Sequence, residues 1–142
     1  MSDLIELLHV AGAVFVIGPM ATLPMLALRA IRTGDGTQTR LLARSSLGFG
    51  IAAVVVAALG FGALATADSD RGWSLTTPWI LLSVIAVTVA CAVHLGVVVP
   101  ALYGASGARG AGSFSYALVA TTSGLVAILM VVVVVLMVVR PG

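Results

Sequence analysis

The sequence predicts an all-α fold, with four transmembrane helices in one bundle and both termini on the outer side of the membrane. Three observations carry that prediction. Four long stretches almost free of charge occupy the chain, and every Asp, Glu, Arg and His except His94 lies at or near their ends. Hydrophobic residues make up 61% of the 142 residues against 8% charged, and the mean hydropathy is +1.21. A soluble domain carries about 25% charge because its surface faces water. Each apolar stretch also exceeds the roughly 20 residues that cross about 30 Å of hydrocarbon as a helix. Strands of a membrane barrel would be about ten residues long with alternating polarity, and the sequence holds no such pattern.

The first span is read at residues 4–28. Asp3 and Glu6 stand where a signal peptide would be positive, and the apolar run outlasts an h-region, so the segment is expected to be retained. Pro19 and Pro24 fall within it. Each leaves the carbonyl four residues earlier without its helical donor, as does Pro100 in the third span. Kinks are expected at all three, with a hinge or a small-ligand recess as the sharper reading. A loop from about Arg29 to Arg44 follows, built around the turn-forming cluster Thr33-Gly34-Asp35-Gly36-Thr37.

The second span, 45–67, carries Gly48, Gly50, Ala53, Ala57, Gly60 and Gly62, small residues that let helices approach closely in lipid. The third, 77–103, contains Cys91 and His94. The fourth, 114–139, places Ala120 and Gly124 four apart among Thr121, Thr122 and Ser123. It ends in a β-branched column, Val131–Val135 and Val138–Val139, with no small residue to admit a close neighbour. Such a run stays helical in lipid because the backbone must satisfy its own hydrogen bonds. The column is expected to face lipid or the flank of another subunit. The four spans use about 100 of the 142 residues. The connections are too short for a soluble domain, so residues 1–142 are read as one domain.

Charge sets the orientation. The first loop holds Arg29, Arg32, Arg40 and Arg44 against Asp35; the second holds Asp68, Asp70 and Arg71; the third holds Arg109. The positive-inside rule places the first and third loops in the cytoplasm. Trp73 and Trp79 then mark the outer boundary, and Tyr103, Phe114 and Tyr116 the inner one. The four arginines of the first loop either fix topology alone or also hold anionic lipid headgroups, at about 1 kcal/mol each near the surface. Nucleic-acid binding is excluded by the small number of basic groups. All seven basic residues are Arg, and the chain has neither Lys nor Asn, which points to a G+C-rich bacterial genome.

Little in the sequence carries chemistry. His9 and His94 invite a haem with one axial ligand from each of two helices. At 1.5 Å per residue they lie roughly 7 and 22 Å deep, too far apart for one haem. His94 alone is able to ligate haem or metal, or to contact a quinone, and Cys91 stands one turn before it. Two ligands do not make a metal site. The simpler reading is a neutral ring bonded to a carbonyl or hydroxyl of a facing helix, although an intramembrane ionisable group is functional by default. Cys91 itself reads as a small buried hydrophobe. Asp3, Glu6 and His9 are spaced for a short proton relay or cation contact, or simply favour the positive end of the helix dipole. No catalytic constellation or resident cofactor is expected.

The opening Leu8-His9-Val10-Ala11-Gly12-Ala13, followed by Ile17-Gly18, resembles the first helix of a family of four-span bacterial membrane proteins of unknown function. A similar opening occurs in CopD-like copper-resistance proteins and membrane protoporphyrinogen oxidases, whose further polar helix residues are missing here. The chain also resembles small accessory subunits of actinobacterial respiratory supercomplexes, around the aa3-type cytochrome c oxidase. That resemblance implies a non-catalytic subunit whose partners are other membrane subunits and anionic lipids, with haem and copper held in neighbouring chains. A small redox or quinone-binding protein using His94 is the alternative, and a small transporter the second.

Overall fold

A computed structural model describes residues 2–66, 74–107 and 113–141, with the side chains of Ser2, Asp3 and Ser113 outside the described set. Five α-helical segments build four rods: α1 (Ser2–Thr33), α2 (Gly36–Ala65), α3 (Pro78–Val93) running through a π-turn (His94–Val98) into α4 (Val99–Ala105), and α5 (Ser113–Val139). Each rod is long and apolar enough to cross a membrane.

The rods overrun the expected spans. Where the sequence suggests a loop from Arg29 to Arg44, helix continues through nearly all of it. The connection is only Gly34 and Asp35. Gly34 takes φ +72, and the Gly34 and Asp35 amides bond back to the carbonyls of Ile31 and Ala30 at 3.2 and 2.9 Å. That pairing satisfies the last carbonyls of α1 in a Schellman arrangement. Asp35 then caps α2, its carboxylate accepting from the Gln38 amide at 2.9 Å. All four arginines therefore stand on helix.

Four packing stripes show why the rods associate. On α2 the buried residues are Thr39, Ala43, Ser46, Gly50 and Ala53, spaced alternately four and three. On α5 they are Val119, Ser123, Val126, Met130 and Val133, with the same alternation. This is the seam of left-handed helix packing. On α1 the stripe runs Val16, Met20, Pro24, Ala27 and Ala30 or Ile31. Along the third rod it runs Ile80, Ser83, Ala86, Ala90, His94, Val98, Leu102 and Ala105. Each rod packs on two others and the four close into a ring: α1 against α2 and α5, α3 against α5, and α4 against α2 and α5.

The α1–α5 seam is tied at both ends. At one end the Arg32 guanidinium donates to the Tyr116 hydroxyl at 2.7 Å and lies 5.1 Å from that ring's centroid. At the other, Glu6 faces Arg140 at 4.0 Å. The chain termini thus lie at one end of the bundle and the arginines of the first hairpin at the other.

Neither Pro19 nor Pro24 interrupts α1. Pro100 is different. It follows the π-turn, in which the Val99 amide reaches back five residues to the His94 carbonyl. A proline has no amide to donate, and the wider turn moves the hydrogen-bond register past that gap. Trp79, expected at the outer boundary, is indeed the second residue of α3, but its ring is buried in the bundle.

Candidate functional site

Both histidines are seated on α2 by one local arrangement. His9, partly buried, donates Nδ1–H to the Val56 carbonyl at 2.8 Å. His94, fully buried, donates Nε2–H to the Ser46 carbonyl at 3.0 Å. In each case the residue four later on α2 is glycine. A Cβ at Gly60 would stand 2.7 Å from His9 Cε1, and one at Gly50 would stand 2.9 Å from His94 Cδ2. Side chains on a helix lean towards its N-terminus, over the carbonyl one turn back. Glycine at that position uncovers the carbonyl and makes room for a ring.

The seats also settle the spacing of the two rings. The carbonyls of Ser46 and Val56 are ten residues apart on one continuous helix, about 15 Å along its axis. One haem cannot reach both rings. His94 is packed beneath Gly50 and beside Leu95, whose Cδ2 lies 2.6 Å from the Gly50 Cβ position.

The opening motif of the chain belongs to the same seam. Gly12, one turn after His9, takes the Val56 side chain, whose Cγ2 lies 2.8 Å from where a Gly12 Cβ would be. Val56 is thus held by its carbonyl through His9 and by its side chain through Gly12. In this chain His9 and Gly12 are packing residues.

The remaining expected groupings separate. Glu6 turns to Arg140 and His9 to Val56, so those two do not form a relay, and the Asp3 side chain lies outside the described residues. Cys91 is buried one turn before His94. Among the described residues no three metal-ligating side chains come together. Asp68, Asp70, Arg71, Trp73 and Arg109 also lie outside the described residues.

At the hairpin end, Arg29, Arg32, Arg40 and Arg44 are exposed. Asp35 spends its carboxylate on the cap, and among the described residues no acid pairs with Arg29, Arg40 or Arg44. Arg40 and Arg44 stand one turn apart beside an open groove that reaches Thr37 and Ser106. Arg29 borders a second groove with Leu26 and Leu42. Cationic heads beside the exposed Leu26 and Leu41 reproduce the transition from headgroup to acyl chain.

Sequence reasoning missed Ser46, because a backbone acceptor carries no residue signature. The available signal was the alternating spacing Thr39, Ala43, Ser46, Gly50, which continues the small-residue stripe into the arginine-rich segment. No family model matches the chain, and neither the curated proteins nor the solved structures give a match.

Proposed function

We propose that this chain is a non-catalytic accessory subunit of a larger membrane complex, acting by helix packing and lipid contact. The observation that carries the reading is the outer face of α5. Val131, Val134, Val135, Val138 and Val139 remain exposed, Val138 at 75%. One level away on the same helix, Ala117 and Thr121 are also exposed, and a Cβ at Gly124 would meet nothing within 4 Å. A small-residue shelf followed by a β-branched column suits a neighbouring helix that approaches closely and then rides on the valines. The separate resemblance to small accessory subunits of actinobacterial respiratory supercomplexes, with which the absence of Lys and Asn fits, supports a respiratory complex around an aa3-type cytochrome c oxidase as the partner.

In this reading the hairpin of α1 and α2 faces the cytoplasm, both termini face outward, and the unpaired arginines lie on anionic headgroups of the cell membrane. The exposed arginines at one end, with Glu6 and Arg140 at the other, support that orientation.

The test is a mild-detergent pull-down of the tagged chain, with an optical spectrum and mass spectrometry on the eluate. Haem-bearing oxidase subunits should appear in stable ratio, and Val135→Arg should lower their recovery several-fold. A solitary chain without a chromophore overturns the reading. Unchanged recovery with Val135→Arg removes the α5 face from the interface.

A further inference from the structure

The structure sorts the four arginines of the hairpin by what surrounds them. Arg32 is spent on Tyr116. Arg29 is the one charge on the groove it shares with Leu26 and Leu42. Arg40 and Arg44 share a groove, an open one of about 540 Å³ bounded by Gly36, Thr37, Leu41 and Ser106. Among the described residues neither has an ion pair or a hydrogen bond. One wall of this groove is the junction of two rods. Gly36, the first residue of α2, lies so close to the end of α4 that a Cβ would stand 2.6 Å from the Ser106 carbonyl oxygen. Thr37, Arg40, Leu41 and Arg44 recur at three and four residues and so share the face of α2 beside that junction.

Fixing topology requires only that positive charge lie somewhere in this hairpin. It does not require two cations on one face beside a groove with no acid between them. The nearest acid in sequence, Asp35, gives its carboxylate to the Gln38 amide and does not line the groove. Two guanidinium groups one turn apart suit one tetrahedral anion, because each presents a planar fork to phosphate oxygens. The Thr37 hydroxyl has no partner among the described residues and adds a third donor on that face. With no carboxylate in the lining, the cationic end of a choline or ethanolamine headgroup would find no counter-charge. Leu41, 64% exposed, stands between the arginines. A soluble phosphate would leave it bare, whereas a lipid covers it with its glycerol and first methylenes.

We propose that Arg40, Arg44 and Thr37 bind the phosphate of one anionic phospholipid whose headgroup carries no cation, with Leu41 against the start of its acyl chains. The site rests on the reading that the hairpin lies at a lipid leaflet, and narrows it from a general attraction to one molecule at one place. It is independent of any docking by the α5 face.

The test is native mass spectrometry of the full chain in mild detergent, titrated separately with phosphatidylglycerol, phosphatidylcholine and glycerol phosphate. The first phosphatidylglycerol should bind about fivefold more tightly than phosphatidylcholine. Arg40→Gln and Arg44→Gln should each remove most of that preference, and Arg29→Gln much less of it. Equal binding of the two lipids by the unmodified chain overturns the lipid-contact reading and the site with it. A preference that falls equally in all three Gln variants keeps that reading and overturns the site, because the arginines would then act as a diffuse field. Glycerol phosphate bound as tightly as phosphatidylglycerol overturns the assignment to a lipid. Should a Gln variant fail to fold, Arg40→Lys combined with Arg44→Lys keeps both charges. A discrete site predicts a loss of about half the preference there, since an ammonium lacks the fork, and an undiminished preference overturns it.

Discussion

His9 occupies the space that a side chain at Gly60 would need: a Cβ there would lie 2.7 Å from Cε1 of the ring and 3.1 Å from Nδ1. The same ring donates to the Val56 carbonyl, one turn before that glycine. Gly60→Ala therefore forces the ring out of its seat. The expected loss is about 1 kcal/mol, the net worth of a hydrogen bond between membrane helices. In a His9→Ala background the same substitution should be neutral or mildly stabilising, because alanine is the better helix former. Thermal unfolding midpoints of the four proteins in mild detergent complete the cycle, and additive effects would dissolve the coupling.

The two rings are predicted to hold opposite tautomers. His9 presents Nδ1–H to its acceptor, whereas His94 presents Nε2–H. Ring carbon and nitrogen shifts of the two histidines in bilayers should fall in the two distinct tautomer ranges. Matching shifts would contradict one of the two seats.

The number of long apolar helices was legible in the sequence because four long runs almost free of charge leave few alternatives: such lengths suit membrane spans, whose backbone must satisfy its own hydrogen bonds. The hairpin was harder to read. Thr33-Gly34-Asp35-Gly36-Thr37 marked the turn correctly, yet the arginines on either side looked like loop. Their guanidinium heads reach water from a helix as easily as from coil, so charge alone did not separate the two. The histidine seats were hidden for another reason. Each depends on a carbonyl that no residue type announces, and only the glycine four residues later is visible. Gly50 and Gly60 were therefore legible as packing positions but not as partners of His94 and His9.

Glycines in this chain divide by what a Cβ would strike. At Gly36 it would lie 2.6 Å from the Ser106 carbonyl oxygen, which is backbone at the end of α4. At Gly48 it would meet nothing within 4 Å. Backbone yields less readily than a side-chain ring, so Gly36→Ala should cost about 1–3 kcal/mol, more than Gly60→Ala. Gly48→Ala should match or exceed wild type. The order of the three unfolding midpoints checks the argument, and a neutral Gly36→Ala would mean that α2 and α4 do not meet this closely.

The two ties of the α1–α5 seam differ in strength. Arg32 both donates to the Tyr116 hydroxyl and stacks on its ring. Tyr116→Phe removes the hydrogen bond and keeps the ring, at an expected cost of about 0.5–1 kcal/mol, and Tyr116→Ala should cost more. Glu6 and Arg140 are 4.0 Å apart with half of each side chain in solvent. Glu6→Gln should therefore change stability by less than about 0.5 kcal/mol. A larger loss from Glu6→Gln than from Tyr116→Phe would reverse this assignment.

Orientation is testable without touching an arginine. Thr37 is exposed in the first turn of α2, beside Arg40 and Arg44, and Leu75 is exposed in the segment before α3, at the opposite end. Cys91 is buried, and replacing it with alanine leaves the chain without thiols. In that background Leu75→Cys should react with a membrane-impermeant maleimide on intact cells, and Thr37→Cys only after permeabilisation. The arginines remain in place, so the positive charge that sets topology is unchanged by the probe. The reverse labelling pattern would put the hairpin outside. The proposed anionic-lipid contacts of Arg29, Arg40 and Arg44 would then lose their inner leaflet, while the helix seams, which depend on packing and hydrogen bonds within the bundle, would stand.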